Sequence, residues 1–334
     1  MTGGAWLLRR LVASVAIIFA VVTFVFILIH AAPGEPCIGP GGELADPASC
    51  AQIRQQRGLD RSLPEQYWRY LVALAHGNLG SSSFYQRPVR DALADTIPFT
   101  LQLAGAALLL DLLLGLVLGI FQAARVNRVP DVVLGNVTLF VYSLPTFWLA
   151  LILLLVFGEK LGWFPVGGAN DPILCRVVDS LYCVMDRLWH LVLPAATLGL
   201  VGAAGTARFQ RAAMLEVASQ DYVRTARAKG VPERSVVLRH QLRNALLSFI
   251  TRFGLAFPFL LTGAVLIETI FAWPGMGRLA FNGIISRDYA LVTATALSAS
   301  TTVVLGNLLA DILLEIADPR LRVRAEIATE IVTA

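Results

Sequence analysis

Residues Asp221–Asn244 read DYVRTARAKGVPERSVVLRHQLRN, a basic, small-residue stretch held between long apolar runs. Asp221 to Lys229 has helix-forming composition, and an acid at its start complements the positive end of a helix dipole. Gly230 then ends that helix, since glycine takes the left-handed conformation past a helix end, and Pro232 suits the first turn of a new helix. The stretch therefore predicts a short helix, a turn and a second helix climbing into the next apolar run. Arg224, Arg227 and Lys229 stand beside Ala226 and Ala228, a pattern that suits insertion into a partner's groove, the small residues allowing close approach and the cations fixing register. The same residues suit a solvated basic loop that sets topology and touches anionic headgroups. Residue chemistry alone leaves both readings open.

Outward from this stretch the chain is apolar. At 56% hydrophobic and 15% charged residues it exceeds the roughly 45–50% apolar content of soluble domains. A length of 334 residues allows two domains, yet no Pro/Gly/Ser linker divides the apolar runs, so one membrane domain is expected. The runs predict six transmembrane helices, at residues 9–31, 97–124, 132–157, 190–214, 249–272 and 290–314. Each is long enough to cross roughly 30 Å of hydrocarbon. Arg9 and Arg10 followed by Leu11 to Ile29 mimic a secretory signal, but the stretch is longer than such a core and no small-x-small cleavage site follows, so it is read as a span.

Charge sets the expected orientation. Arg9, Arg10, Arg125, Arg128, the cluster from Arg208 to Arg252, and Arg320, Arg322 and Arg324 fall on one side, against Lys160, Arg176, Arg187, Arg278 and Arg287 in the short opposite loops. The positive-inside rule then places both termini and Asp221–Asn244 in the cytoplasm. Cys37 and Cys50 fall in the first outer loop, Cys175 and Cys183 in the second. Closeness in sequence favours pairing within each loop in an oxidising extracytoplasmic space, the alternative being four free thiols. The expected organisation is an N-terminus and first helix at 1–32, an extracytoplasmic loop region at 33–96, a five-helix core at 97–318 that includes the cytoplasmic loop 216–248, and a cytoplasmic tail at 319–334.

Charges inside spans are expensive and face partners or water. Asp111 interrupts Leu108–Leu118, and either lines a substrate path or makes a hydrogen-bonded contact with a neighbouring subunit; the second is the commoner use. Glu268 and Asp311 lie near span ends, where interfacial solvation or an arginine partner lowers the cost. Gly199, Gly202 and Gly205 form a small-residue stripe suited to close helix packing, and Pro145 and Pro258 interrupt their spans. Residues Arg278–Ser286 predict a short interfacial helix, with Leu279, Phe281, Ile284 and Ile285 as its apolar side.

The stretch from Asp221 resembles the coupling loop of permease subunits from bacterial ATP-binding-cassette importers of the dipeptide, oligopeptide and nickel branch. The E-A-A-x-x-x-G pattern of such loops aligns on Gly230, with Arg224, Thr225 and Ala226 at the Glu-Ala-Ala positions, in the R-T-A-R-A-K-G form common in that branch. Arg239, His240, Arg243, Asn244 and Ala245 also fit, while Ser248 stands where proline is usual. The resemblance extends through Arg9-Arg10, Pro33-Gly34-Glu35-Pro36, Gly77-Asn78-Leu79-Gly80, Trp273-Pro274-Gly275-Met276-Gly277-Arg278-Leu279, Arg287-Asp288-Tyr289 and Asp318-Pro319-Arg320. A long loop after the first span fits the first-permease type.

What the resemblance implies is an all-α integral membrane half-channel with an importer-type fold. It pairs with a homologous second permease subunit, two cytoplasmic ATPases and an extracytoplasmic solute-binding protein, and Asp221, Tyr222, Arg224, Thr225, Ala226, Arg227, Ala228, Lys229 and Gly230 engage the ATPase. The chain lacks a G-x-x-x-x-G-K-[ST] phosphate loop, so ATP and Mg belong on partner subunits and no cofactor, metal or catalytic residue is expected here. The surroundings are the lipid bilayer of the bacterial cell membrane, with no nucleic acid partner. Di- or oligopeptides are the expected cargo; nickel, glutathione-like compounds and oligosaccharides are carried by similar systems. A self-contained secondary transporter or channel also has such spans, but no clear internal repeat supports one, and His30, His76, His190 and His240 are too scattered for an intramembrane enzyme.

Overall fold

Within hydrocarbon every backbone polar group must be satisfied inside its own segment, so the apolar runs become helices. The computed structural model describes residues 3–31, 55, 58, 60–173, 175, 180–246 and 264–317. Among these, α1 spans Gly3–Ala31, α2 Leu63–Ala75, α3 Val89–Ala123, α4 Val129–Ser143 and α5 Thr146–Leu153, which continues as a π-helical stretch Leu154–Lys160. Then come α6, Ser180–Ala218; α7, Asp221–Ala228; and α8, Glu233–Ser235, which passes through a π-helical stretch Val236–Gln241 into helix at 242–246. The remaining elements are α9 at 264–270, α10, Met276–Ile285, and α11, Tyr289–Ala317.

Four of these helices are long and apolar enough to cross a membrane, in α1, α3, α6 and α11, and a fifth counts if the bent pair α4 and α5 is one span. The third run, expected over 132–157 with Pro145 interrupting it, bends by 102° between α4 and α5. Pro145 explains the break. It restricts Leu144 to extended backbone, ψ 135°, and has no N–H to continue the helix. The second helix begins at Val89 rather than 97, because the exposed charges of Arg90 and Asp91 in its first turn mask its start from hydropathy. Of the run expected at 249–272, residues 249–263, with Pro258, lie outside the described residues, as do Cys37, Cys50, Ser248 and the tail from Asp318.

The chain forms two compact units, one from the described residues of Thr2–Leu101 and Trp273–Val304, the other from those of Gln102–Ala272 and Leu305–Ala334. A single membrane domain was expected because no linker was visible. Two of the three boundaries fall inside the continuous helices α3 and α11, where no linker signal exists to be read, and the third falls in the short turn between α9 and α10.

In the first unit Val89, Ala92 and Leu93 pack with Met276, Leu279, Leu291 and Ala294. The fully buried Trp273 donates Nε1–H to the Phe99 carbonyl at 2.9 Å, and the Met276 N–H reaches Thr100 Oγ1 at 2.7 Å. Buried Asp288 accepts from Ser82 Oγ at 2.6 Å, Phe84 N–H at 3.1 Å and Leu291 N–H at 3.2 Å, capping α11 while pinning the turn before α3. The expected helix after Trp273 is α10; its apolar side divides, with Leu279 buried and Ile284 and Ile285 exposed.

In the second unit α3 and α6 lie side by side and parallel. A Cβ added at Gly199 would sit 2.8 Å from Leu110, one at Gly202 2.7 Å from Asp111, one at Gly115 2.6 Å from Thr206 and one at Gly119 2.7 Å from Gln210. Such spacing needs glycine on one helix opposite each larger side chain on the other. Cys175 and Cys183 are joined by a disulfide, Cα to Cα 5.0 Å, at the start of α6. The loop following the π-helical stretch returns to this region, with Phe164 and Trp189 rings 4.7 Å apart and the Gly168 N–H donating to the Phe271 carbonyl at 2.9 Å.

Candidate functional site

The helix-turn-helix read from the sequence is present. α7 begins after Gln220, whose backbone is extended, and Asp221 occupies its first turn. Gly230 has φ +75°, the left-handed conformation that favours glycine, and its N–H bonds to the Arg227 carbonyl at 2.9 Å while the Val231 N–H reaches the Ala226 carbonyl at 3.3 Å. Pro232 was expected inside the first turn of the second helix; it sits one position earlier, as the residue preceding α8. The Ser235 and Val236 N–H groups both return to its carbonyl, at 2.8 and 3.1 Å.

Burial sorts the residues of α7. Val223 and Ala226 face inward and pack with Val236, Val217 and Val231. Asp221, Tyr222, Arg224, Thr225, Arg227, Ala228, Lys229 and Gly230 are exposed. Ala226 was expected at a partner-facing position beside Ala228; it instead belongs to the chain's own packing, leaving Ala228 as the small exposed residue.

The cations also divide. Arg227 donates Nη2–H to Glu233 Oε1 at 2.7 Å and Nε–H to Oε2 at 3.2 Å, a two-point bridge that closes the turn between α7 and α8. The hydrogen bond from Arg227 holds the Glu233 carboxyl below the usual glutamate range and raises the arginine's own affinity for its proton. Both side chains are largely exposed, at 44% and 62%, so the bridge orients the turn more than it stabilises it. Arg224 reaches Asp221 only at 4.0 Å, with 72% of its side chain exposed. Arg224 and Lys229 therefore present charge outward, whereas Arg227 is committed within the chain. Beyond the turn Pro232, Arg234, Ser235, Leu238 and Arg239 line an open recess of about 510 Å³.

The segment is seated on the end of α6. Ala213 and Met214 pack with Val237, Ala245 and Leu242 and with Ile120 and Ala123 of α3. Nearby, the Arg211 guanidinium meets buried Asp131 of α4. Glu233 and the Asp131–Arg211 pair were missed by sequence reading. Glu233 carried a signal, an acid six residues after an arginine across a Gly-x-Pro turn; the other pair is 80 residues apart and had none.

Asp111 is 3% exposed and is packed against Gly202 of the same chain. Glu268 is fully buried, so interfacial solvation does not account for it. Among the described residues no group of three or more His, Cys, Asp or Glu side chains is arranged to hold a metal ion.

Residues 115–323 match the family described as binding-protein-dependent transport system inner membrane component, and residues 5–104 match the N-terminal family of such membrane components. The chain is 38% identical over 317 residues to the glutathione transport system permease protein GsiC of Escherichia coli strain K12, covering 95% of this chain and 98% of that one. Its counterpart in Pectobacterium atrosepticum is 37% identical over the same coverage. The crystal structure of an amino acid ABC transporter with histidines aligns with 69% of this chain and 94% of its own at 15% identity and TM-score 0.49.

Proposed function

Because the chain belongs to the family of binding-protein-dependent transport system inner membrane components, we propose that it forms half of the translocation path of an ATP-driven importer and that α7 is its coupling helix. The observation that carries the coupling role is the seating of α7. Its buried face packs on Val217 at the end of α6 and on Val236 beyond the turn, while Tyr222, Arg224, Ala228 and Lys229 are left outward for a partner. An ATPase that draws this helix inward moves the end of a membrane helix with it. The chain itself lacks a phosphate loop, so ATP and Mg act on the partner subunits.

Six spans with both termini in the cytoplasm are supported by three features. Parallel packing of α3 and α6 requires the chain to return across the membrane between them, a path that α4, α5 and the π-helical stretch occupy. Ala245 packs at the far end of α6 with Met214, whereas Phe271 meets Gly168 in the loop beside Trp189 near its start, so Ala245 and Phe271 lie at opposite ends of α6. The arginine-rich side then faces the cytoplasm, and the Cys175–Cys183 disulfide falls on the oxidising side.

The partners are a homologous second permease, two cytoplasmic ATPases and an external binding protein. The cargo is a small peptide. The relatives named for glutathione transport favour glutathione-like compounds within that class; nickel and oligosaccharides are the remaining alternatives. Reconstitution of this chain with the permease, ATPases and binding protein encoded beside it, followed by uptake of labelled dipeptides, glutathione and Ni²⁺, tests both levels. ATP-dependent uptake of a peptide supports the proposal. Uptake by this chain alone without ATP, or purification that never retains an ATPase, would remove it.

A further inference from the structure

Asp131 and Arg211 lie outside the stretch assigned to ATPase contact, yet theirs is a two-point ion pair between α4 and α6. The Arg211 Nε–H meets Asp131 Oδ1 at 2.8 Å and the Nη2–H meets Oδ2 at 2.8 Å. Asp131 Oδ2 also accepts the Asn127 N–H at 2.9 Å, with Asn127 at φ +63° in the α3–α4 turn. The carboxylate, 3% exposed, thus closes that turn from within and fastens the start of α4 to α6 from without.

The end of α6 that carries Arg211 also carries the seat of α7. Val217 packs with Val223 and Ala226, and Ala213 and Met214 pack with Ile120 and Ala123. Apolar contacts of this kind are non-directional and tolerate sliding. A forked guanidinium–carboxylate pair does not, because its geometry is fixed and separation would strand a buried carboxylate. Resting on the importer reading above, we infer that Asp131 and Arg211 are a positioning pair that makes the start of α4 move with the end of α6. A displacement of α7 by the ATPase then reaches the third span as well as the fourth.

The test uses the complete reconstituted importer, with Asp131→Asn, Arg211→Gln and the exchanged double variant Asp131→Arg with Arg211→Asp. Three quantities are measured: retention of the ATPases on purification, ATP hydrolysis, and uptake per ATP of a labelled dipeptide and glutathione mixture. The single variants are expected to keep their ATPases and hydrolyse ATP, while uptake per ATP falls about tenfold, as a coupling free energy near the middle of the usual range implies. The exchanged pair should recover much of the loss. Wild-type coupling in both single variants would overturn the inference while leaving the importer reading intact. Loss of folding or of ATPase retention in the single variants, relieved in the exchanged pair without any change in uptake per ATP, would reduce the pair to a structural brace and also overturn it. A wild-type complex without ATP-driven uptake would instead remove the importer reading on which the inference stands.

Discussion

At the scale of single residues, Gly230 and Arg227 make separable predictions. Gly230 has φ +75° and nothing within 4 Å of where a Cβ would lie, so substitution is opposed by backbone strain and not by a clash within the chain. Gly230→Ala should lower ATPase association by about fivefold to thirtyfold, the equivalent of about 1–2 kcal/mol for a left-handed residue. Gly230→Asn should be milder, since asparagine visits that region more readily. Binding measured with purified ATPase checks this, and a wild-type affinity for Gly230→Ala would exclude the strain argument. Arg227→Glu should loosen the turn by opposing Glu233, and exchange with Glu233→Arg should restore it. Glu233 titrates below its unfolded value, so the bridge's contribution is fully present above the ordinary glutamate pKa of about 4.3 and is lost as pH falls through the lowered folded value. ATPase association through this turn should therefore show no dependence on Glu233 near neutral pH and weaken only in acid. A transition near neutrality abolished by Glu233→Gln would contradict that sign.

At the scale of elements, the parallel contact of α3 with α6 depends on backbone approach. An added Cβ at Gly119 would lie 2.8 Å from the Ala207 carbonyl oxygen, a backbone atom that cannot rotate away. Gly119→Leu should force the helices apart and cost about 1–3 kcal/mol, read as a lower unfolding temperature in lipid nanodiscs; an unchanged transition would mean that the helices are not packed as described. The glycine stripe on α6 was legible in sequence, but its partner residues Leu110 and Asp111 on α3 were not, because helical periodicity reports a face and not what lies across it. The same limit made Asp111 ambiguous. A charge in an apolar run signals that a neighbour exists, and only packing shows that Asp111 lies against Gly202 of the same chain. The bridge at the start of α6 predicts that Cys175 and Cys183 resist alkylation until reduced; ready labelling of both without reductant would oppose an oxidised pair.

For the molecule as a whole, the proposed topology predicts that cysteines introduced at Thr2 and Ala334 react with a membrane-impermeant maleimide only in inside-out vesicles, the native cysteines having been replaced by serine. Labelling of either from the outer face would break the even span count. The membrane-length helices α1, α3, α6 and α11 were legible from apolar run length, since it follows from local cost: hydrocarbon excludes charge and unsatisfied backbone wherever the run occurs in the chain. The division into two compact units was not legible, because two of its three boundaries cut through the helices α3 and α11 without any break in composition.

The sequence by itself determined the helical membrane class, the Gly230 stop with a helix on each side, and the family pattern, all properties of neighbouring residues read along the chain. Only the tertiary structure decided that Val223 and Ala226 face inward, that Arg227 is held by Glu233, and that Asp131 meets Arg211 across 80 residues. Burial and ion pairing depend on what chain returns to the same place, and composition carries that information only when the partners are close in sequence.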